Sequence, residues 1–245
     1  MAWYAKWFDT PYYHLLYSNR DFKEAERFLD LLTEFLQLPE KSSIIDLACG
    51  KGRHSLYLNR LGYDVIGLDL SENSILHNKK YENDSLKFEV HDMRMPMAYQ
   101  NINAVFNLFT SFGYFDDAQD DHKVFRSVSE VLQPNGIFVL DFLNADFVRS
   151  NLIASEIIRR ERMDFHIKRR IENAFIIKDI FFRDQGEDFH FFEKVKLHTM
   201  QEIEQLAQQY GLHLRAKFGD YQLNEFHPET SPRTIMVFIK NEMKG

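Results

Sequence analysis

Cysteine is nearly absent from this chain of 245 residues. Cys49 stands alone, so no disulfide can form within the chain and a reducing compartment is the expected setting. Positive charge is also in deficit. Lys and Arg number 30 against 37 Asp and Glu, a formal net charge of −7 with a pI near 5.8, which argues against a general nucleic-acid or membrane-surface binder. No apolar run approaches the length of a membrane span, and the N-terminal Met-Ala-Trp-Tyr-Ala-Lys-Trp-Phe-Asp lacks a signal-peptide core. The expectation is a soluble, cytoplasmic protein with no membrane partner. Nothing is repetitive or of low complexity, and the length is ample for a buried core.

Two nucleotide signatures are missing as well. There is no Gly-x-x-x-x-Gly-Lys-Ser/Thr loop, and the run Gly50-Lys-Gly52-Arg-His-Ser55 lacks the third Gly of a dinucleotide-binding turn. What is present is an apolar strand, Ile44-Ile45-Asp46-Leu47, running into the small residues Ala48, Cys49 and Gly50. A second apolar strand then ends in Asp69, 23 positions after Asp46. Small residues let the backbone pass close to a ligand, and Gly52 relieves crowding where a following helix packs on the sheet. A carboxylate at the tip of the second strand can accept two hydrogen bonds from a ribose diol.

These residues resemble motif I of the class I S-adenosylmethionine-dependent methyltransferases, Asp-x-Gly-x-Gly-x-Gly, with Ala48 in place of its first Gly. The rest of the chain agrees with that family's order. Strands are expected near 44–48, 63–69, 86–91, 102–108 and 136–142, and helices near 21–36, 51–61, 71–80, 117–132 and 199–210. Ser71 reads as an N-cap, and Pro134-Asn135-Gly136 as a turn. A closing antiparallel hairpin fits 212–221 and 234–240. The resemblance implies an α/β fold: a Rossmann-like, doubly wound, seven-stranded sheet, mostly parallel, with an antiparallel C-terminal strand. Four antiparallel strands near 157–162, 165–171, 174–182 and 189–197 interrupt the pattern as a small β insert; with Gly113, Pro134 and Ser231-Pro232-Arg233 the chain resembles a small-molecule-type subgroup that carries such an insert after the fifth strand. The expected organisation is an N-terminal helical cover over 1–40, a methyltransferase domain over 41–150 and 199–245, and an inserted lid over 151–198.

Site residues follow from the resemblance, position by position. Asp46 would order the loop and, through water, the methionine amino group, with Ala48, Cys49 and Gly50 beneath the cofactor. Asp69 would take the ribose hydroxyls, Leu70 would pack on adenine, and Asp92 and Met93 would read the adenine edge. Asn107 is a further candidate cofactor contact, and Phe109, Phe112, Tyr114, Asn144 and Arg233 are candidate acceptor contacts. The first 17 positions carry seven aromatics, in a stretch similar to one that folds over the cofactor; Tyr13, Tyr17 and Arg20 are then candidates, with Arg20 or Arg53 pairing the methionine carboxylate.

The implied reaction is an in-line methyl transfer to a small-molecule acceptor, demanding no metal and no covalent enzyme intermediate. A hydroxyl or ammonium acceptor would need a base, and the candidates are Tyr13, His14, His54 and His166. No partner activates Cys49, which reads as a space-filling residue. Two alternatives stay open. The insert's Arg159, Arg160, Arg162, Lys168, Arg169 and Arg170 could recognise RNA, although strand alternation favours a cross-strand paired, solvated surface. The chain could also be a cofactor-binding regulatory protein without turnover. Monomer and dimer are equally compatible with the sequence.

Overall fold

A computed structural model describes residues 3–18 and 22–241. Two short helices, α1 (Trp3–Trp7) and α2 (Pro11–Leu16), precede α3 (Phe22–Leu36), β1 (Ser43–Leu47), α4 (Arg53–Arg60) and β2 (Asp64–Asp69). Then come α5 (Glu72–Asn78), β3 (Leu86–Val90), β4 (Ile102–Asn107), α6 (Ala118–Val131), β5 (Leu132–Leu143) and α7 (Ala145–Ser150). The strands β6 (Ser155–Arg160), β7 (Met163–Glu172), β8 (Phe175–Asp184) and β9 (Glu187–Lys196) follow in a run. The chain closes with α8 (Met200–Gln208), β10 (Leu212–Phe218) and β11 (Arg233–Lys240).

The main sheet has seven strands in the order β10-β11-β5-β4-β1-β2-β3. β3, β2, β1, β4 and β5 run parallel, and β11 lies antiparallel to both β5 and β10. β6 to β9 form a separate antiparallel sheet of four strands. The central strands are apolar on both faces because helices cover both. Phe28, Leu29 and Leu32 of α3 and Leu58 of α4 pack on one face, and Phe125 and Val128 of α6 with Ile203 and Ala207 of α8 pack on the other. The helix over 22–36 therefore belongs to a layer of the main sheet. A capping box at Thr199 and Glu202 restarts the α/β pattern after the small sheet.

α1 and α2 bury Trp7 and Leu16 against Phe165, Ile167, Ile180 and Phe182 of the small sheet. Two details differ from the sequence reading. α7 was not anticipated; its N-cap is Asn144, whose side chain accepts from the Asp146 amide. The turn at 134–136 sits inside β5 as a bulge, the register against β4 jumping from Leu132 opposite Ile102 to Ile137 opposite Ala104. Among the described residues no helix is long and apolar enough to cross a membrane.

Candidate active site

The chain proceeds outward from β1 to β2 and β3, then returns to β4 on the other side of β1, so the carboxyl ends of β1 and β4 flank a crevice. A cavity of about 410 Å³ opens there. Its floor is the β1–α4 loop, where Ala48, Gly50 and Gly52 take positive φ values of 64°, 53° and 72°. The left-handed backbone costs a residue with a Cβ roughly 1–2 kcal/mol, so Ala48 holds strain in the place where motif I usually has Gly. At Gly52 a Cβ would lie 3.0 Å from the buried Phe88 ring, whereas at Gly50 it would meet nothing within 4 Å. Gly52 is thus required by packing, and Gly50 faces open cavity.

Asp69 ties this floor to the next strand. Its Oδ2 accepts the Gly50 amide at 2.7 Å and its Oδ1 the Ser71 amide at 2.8 Å. A carboxylate offers about four acceptor positions, so two remain for a ligand diol. Beside it Leu70 is 38% exposed in the cavity wall, an apolar surface suited to a flat ring. Burial raises the Asp69 carboxyl above the usual range, against the pull of the two amides. At the β3 end, Asp92 is held bidentate by Arg94, which also reaches Asp120 at 2.8 Å. Burial opposes its ionisation, yet Arg94 keeps Asp92 below the ordinary carboxylate value.

Asp46 lies beneath the loop, outside the cavity lining. It is 2% exposed and accepts the Ser55 hydroxyl at 2.5 Å, anchoring the first turn of α4. Burial pushes its carboxyl up to about 6, opposed by the Ser55 hydrogen bonds. The folded chain then binds more protons than the unfolded chain between about pH 4 and 6, so this residue's contribution to stability falls as pH rises through that window. We expect Asp46→Asn to gain about 3 kcal/mol relative to the unmodified protein between pH 4 and pH 7. Urea unfolding of both proteins across that range checks it, and a pH-independent difference would remove the assignment.

The opposite wall is aromatic. Phe109 stacks on His54 at 5.0 Å and on Tyr221 at 4.8 Å between ring centroids, with the Arg53 guanidinium 4.5 Å from its centre. Arg53 also bonds His54, Nη2 to Nε2, at 3.2 Å. Tyr114 donates its hydroxyl to the Thr110 carbonyl and gathers Trp3, Tyr4 and Phe8 around its ring. Over the top lies the segment carrying α1 and α2. Glu193 of β9 holds it through the Trp7 indole at 2.9 Å and the Tyr17 hydroxyl at 2.7 Å. On the other side Asp9 accepts from Ser71 at 2.5 Å and Asn73 at 2.6 Å, next to the loop of Asp69.

Of the residues expected at the site, the cavity brings together Tyr13, His14, Tyr17, Ala48, Cys49, Gly50, Arg53 and His54 with Asp69, Leu70, Asp92, Met93, Phe109 and Tyr114. Burial pushes the Cys49 thiol well up, as suits a space-filling side chain. Others are placed elsewhere. Phe112 is a core residue, packed on Phe125, Phe142 and His198. Asn107 is buried and donates to the Leu47 carbonyl at 3.0 Å. Asn144 caps α7 and holds the Pro228 and Ser231 carbonyls. Arg233 turns inward to Asp141. His166 lines a separate hollow on the small sheet with Asp164 and Phe181, and Arg20 lies outside the described residues. Three of the insert's six named cations are paired with carboxylates, Arg159 with Asp164, Arg169 with Glu156, and Arg170 with Asp179 and Glu172, as a cross-strand paired surface requires.

Sequence reasoning missed Glu193, Tyr4, Phe8 and Ser111, which also line the cavity. Tyr4 and Phe8 stood in the aromatic run. Glu193 carried a subtler signal, an acid on the apolar face of a strand whose alternate residues are Phe189, Phe191 and Val195.

Comparison with known proteins gives a consistent picture. A family model described as a methyltransferase domain matches residues 38–174. The dTDP-3-amino-3,4,6-trideoxy-alpha-D-glucopyranose N,N-dimethyltransferase of Streptomyces venezuelae is 29% identical over 153 residues, 61% of this chain and 63% of that protein. A glycine/sarcosine N-methyltransferase of Aphanothece halophytica is 29% identical over 150 residues, 58% of this chain and 53% of its own. The chain thus spans less than two thirds of the length of either relative. Among solved structures, an S-adenosylmethionine-dependent methyltransferase from Clostridium acetobutylicum aligns with a TM-score of 0.79 at 18% identity, covering 94% of this chain and 96% of that one.

Proposed function

The chain belongs to the methyltransferase domain family, and from that premise we propose that it transfers a methyl group from S-adenosylmethionine to the amine of a small molecule. The observation that carries this reading is the cavity at the crossover of the sheet, where Asp69, Leu70 and the Ala48–Gly50 turn fit the cofactor. Asp69 has two acceptor positions for the ribose, Leu70 an apolar face for adenine, and Asp92 and Met93 the position for its edge. Arg53, at the N-terminus of α4, suits the methionine carboxylate. S-adenosylmethionine supplies an electrophilic methyl group on a sulfonium.

The residues of the chain then do three things. The aromatic wall of Phe109, Tyr114 and Phe8 gives the acceptor a dry, shaped surface and fixes its approach. α1 and α2 exclude water from above. An acceptor amine must be neutral to attack, and His14, on α2 in the cavity lining, takes the proton. The amine acceptor is supported by the two relatives, whose names specify nitrogen methylation.

The test is calorimetry with S-adenosylmethionine, then incubation with methyl-labelled cofactor and a panel containing amino sugars, glycine and sarcosine. Binding followed by label on an amine is expected. Failure to bind the cofactor overturns methyl transfer. Binding without label on any amine overturns the amine acceptor, and label on an oxygen or carbon acceptor from a metabolite extract would show which nucleophile replaces it.

A further inference from the structure

Behind the aromatic wall lies a buried group that the expected site residues do not explain. Asp141, on β5, is 0% exposed, and its side chain satisfies four donors. Oδ1 accepts Nε and Nη2 of Arg233 at 2.8 and 2.6 Å, and Oδ2 accepts the Phe109 amide at 2.8 Å and the Tyr221 hydroxyl at 3.2 Å. The same Nη2 of Arg233 reaches the Thr110 hydroxyl at 2.8 Å, and the Thr110 amide donates to the Asp141 carbonyl at 3.0 Å. Three of these bonds end on Phe109 or Thr110, and both residues have left-handed backbones, with φ of 59° and 58°.

Two successive left-handed residues with side chains do not persist unless their surroundings hold them. Neither Asp141 nor Arg233 lines the cavity, yet Phe109 does, and its ring direction is set by the backbone they pin. Tyr221 completes the clamp by stacking on the same ring while donating to the same carboxylate. We propose that Asp141 and Arg233 are positioning residues that hold Phe109 and Thr110 in the left-handed conformation and so place the aromatic wall of the acceptor site. This rests on the methyl-transfer reading for its catalytic consequence, though not for its structural one.

The experiment uses Arg233→Met, Arg233→Lys and the double variant Arg233→Met with Thr110→Gly. Arg233→Lys keeps a charge beside Asp141 but loses the planar fork that bridges Asp141 and Thr110, and it carries the test if Arg233→Met does not fold. In cofactor-free protein, amide exchange at 109 and 110 should accelerate at least tenfold in both single variants. In the loaded enzyme kcat should fall about tenfold with cofactor Kd changed less than threefold. Glycine at 110 removes the cost at one of the two left-handed residues, so the double variant should recover about half of both losses. Unchanged exchange in the single variants, or no recovery in the double, overturns the positioning role. Altered and rescued exchange with no methyl transfer even in the unmodified protein would instead count against the proposed function while leaving the clamp in place.

Discussion

Asp69→Ala should weaken S-adenosylmethionine binding by at least about a hundredfold in calorimetry. Two of the carboxylate's acceptor positions are taken by the Gly50 and Ser71 amides, and the proposed ribose contact would use the remaining two. A hydrogen bond to a charged group is worth about 1.5–3 kcal/mol, so losing both removes roughly 3–6 kcal/mol, or a factor of 10² to 10⁴. The loop adds to the loss, since Gly50 and Ser71 give up the acceptor that ties the floor of the cavity to β2. Asp69→Asn separates the two effects. Its amide oxygen can still accept one backbone N–H, but its NH₂ faces the other donor, so binding should fall while the fold holds. A Kd within threefold of the unmodified protein for Asp69→Ala would take the ribose role away from this residue.

Much of the architecture was readable because it depends on period and punctuation. The strands that become β1, β2, β4 and β5 are apolar runs bounded by Gly, Asp or Asn, and α3, α6 and α8 carry apolar residues at helical spacing, so a parallel sheet covered on both faces followed directly. The insert was legible through β-branched and aromatic runs bounded by the turn residues Glu172-Asn173 and Asp184-Gln185-Gly186. What escaped were the bounds of the two short helices within the expected N-terminal cover, and α7 altogether. α1, α2 and α7 have 5, 6 and 6 residues, too few for a periodic signal and too short to be helical alone; tertiary contact with the small sheet makes the first two, and the Asn144 cap starts the third.

The site divides along a similar line. Asp69, Gly50 and Asp92 were identifiable because their positions follow from where strands end. Phe109 and Phe112 could not be told apart, being aromatic residues three apart in one loop. The left-handed turn at 109 and 110 decides which ring meets the cavity, and it exists only because Asp141 and Arg233 meet behind it. Arg233 was expected as an acceptor contact, and it pairs with Asp141 instead. Its pairing with Asp141 depends on the antiparallel register that sets Arg233 against Leu143 and Ile235 against Asp141, which no local pattern reveals.

Glu193→Ala should release the segment over the cavity and cost at least about thirtyfold in turnover. Glu193 and Lys178 are 14% and 12% exposed and lie 3.6 Å apart. The same carboxylate takes the Trp7 indole and the Tyr17 hydroxyl, and Lys178 donates to Tyr17 at 2.6 Å. Removing one partner of a buried pair costs about 3–5 kcal/mol; with some solvent access here, roughly 2–4 kcal/mol is expected. That cost falls locally, because helices as short as α1 and α2 hold their shape only while docked. Amide exchange across residues 3–18 should therefore quicken by one to two orders of magnitude, while the main sheet is unaffected. Cofactor affinity should change less than turnover, since Asp69, Leu70 and the loop at 48–50 sit on the main sheet. The wall formed by Phe8, Tyr13 and His14 would lose its placement and water would enter. Glu193→Gln can still accept from Trp7 without the charge facing Lys178, so it should lie between the two. If exchange over 3–18 rises in Glu193→Ala and turnover does not fall, the covering segment has no part in excluding water, and the aromatic wall on the β4 side must create the dry environment by itself.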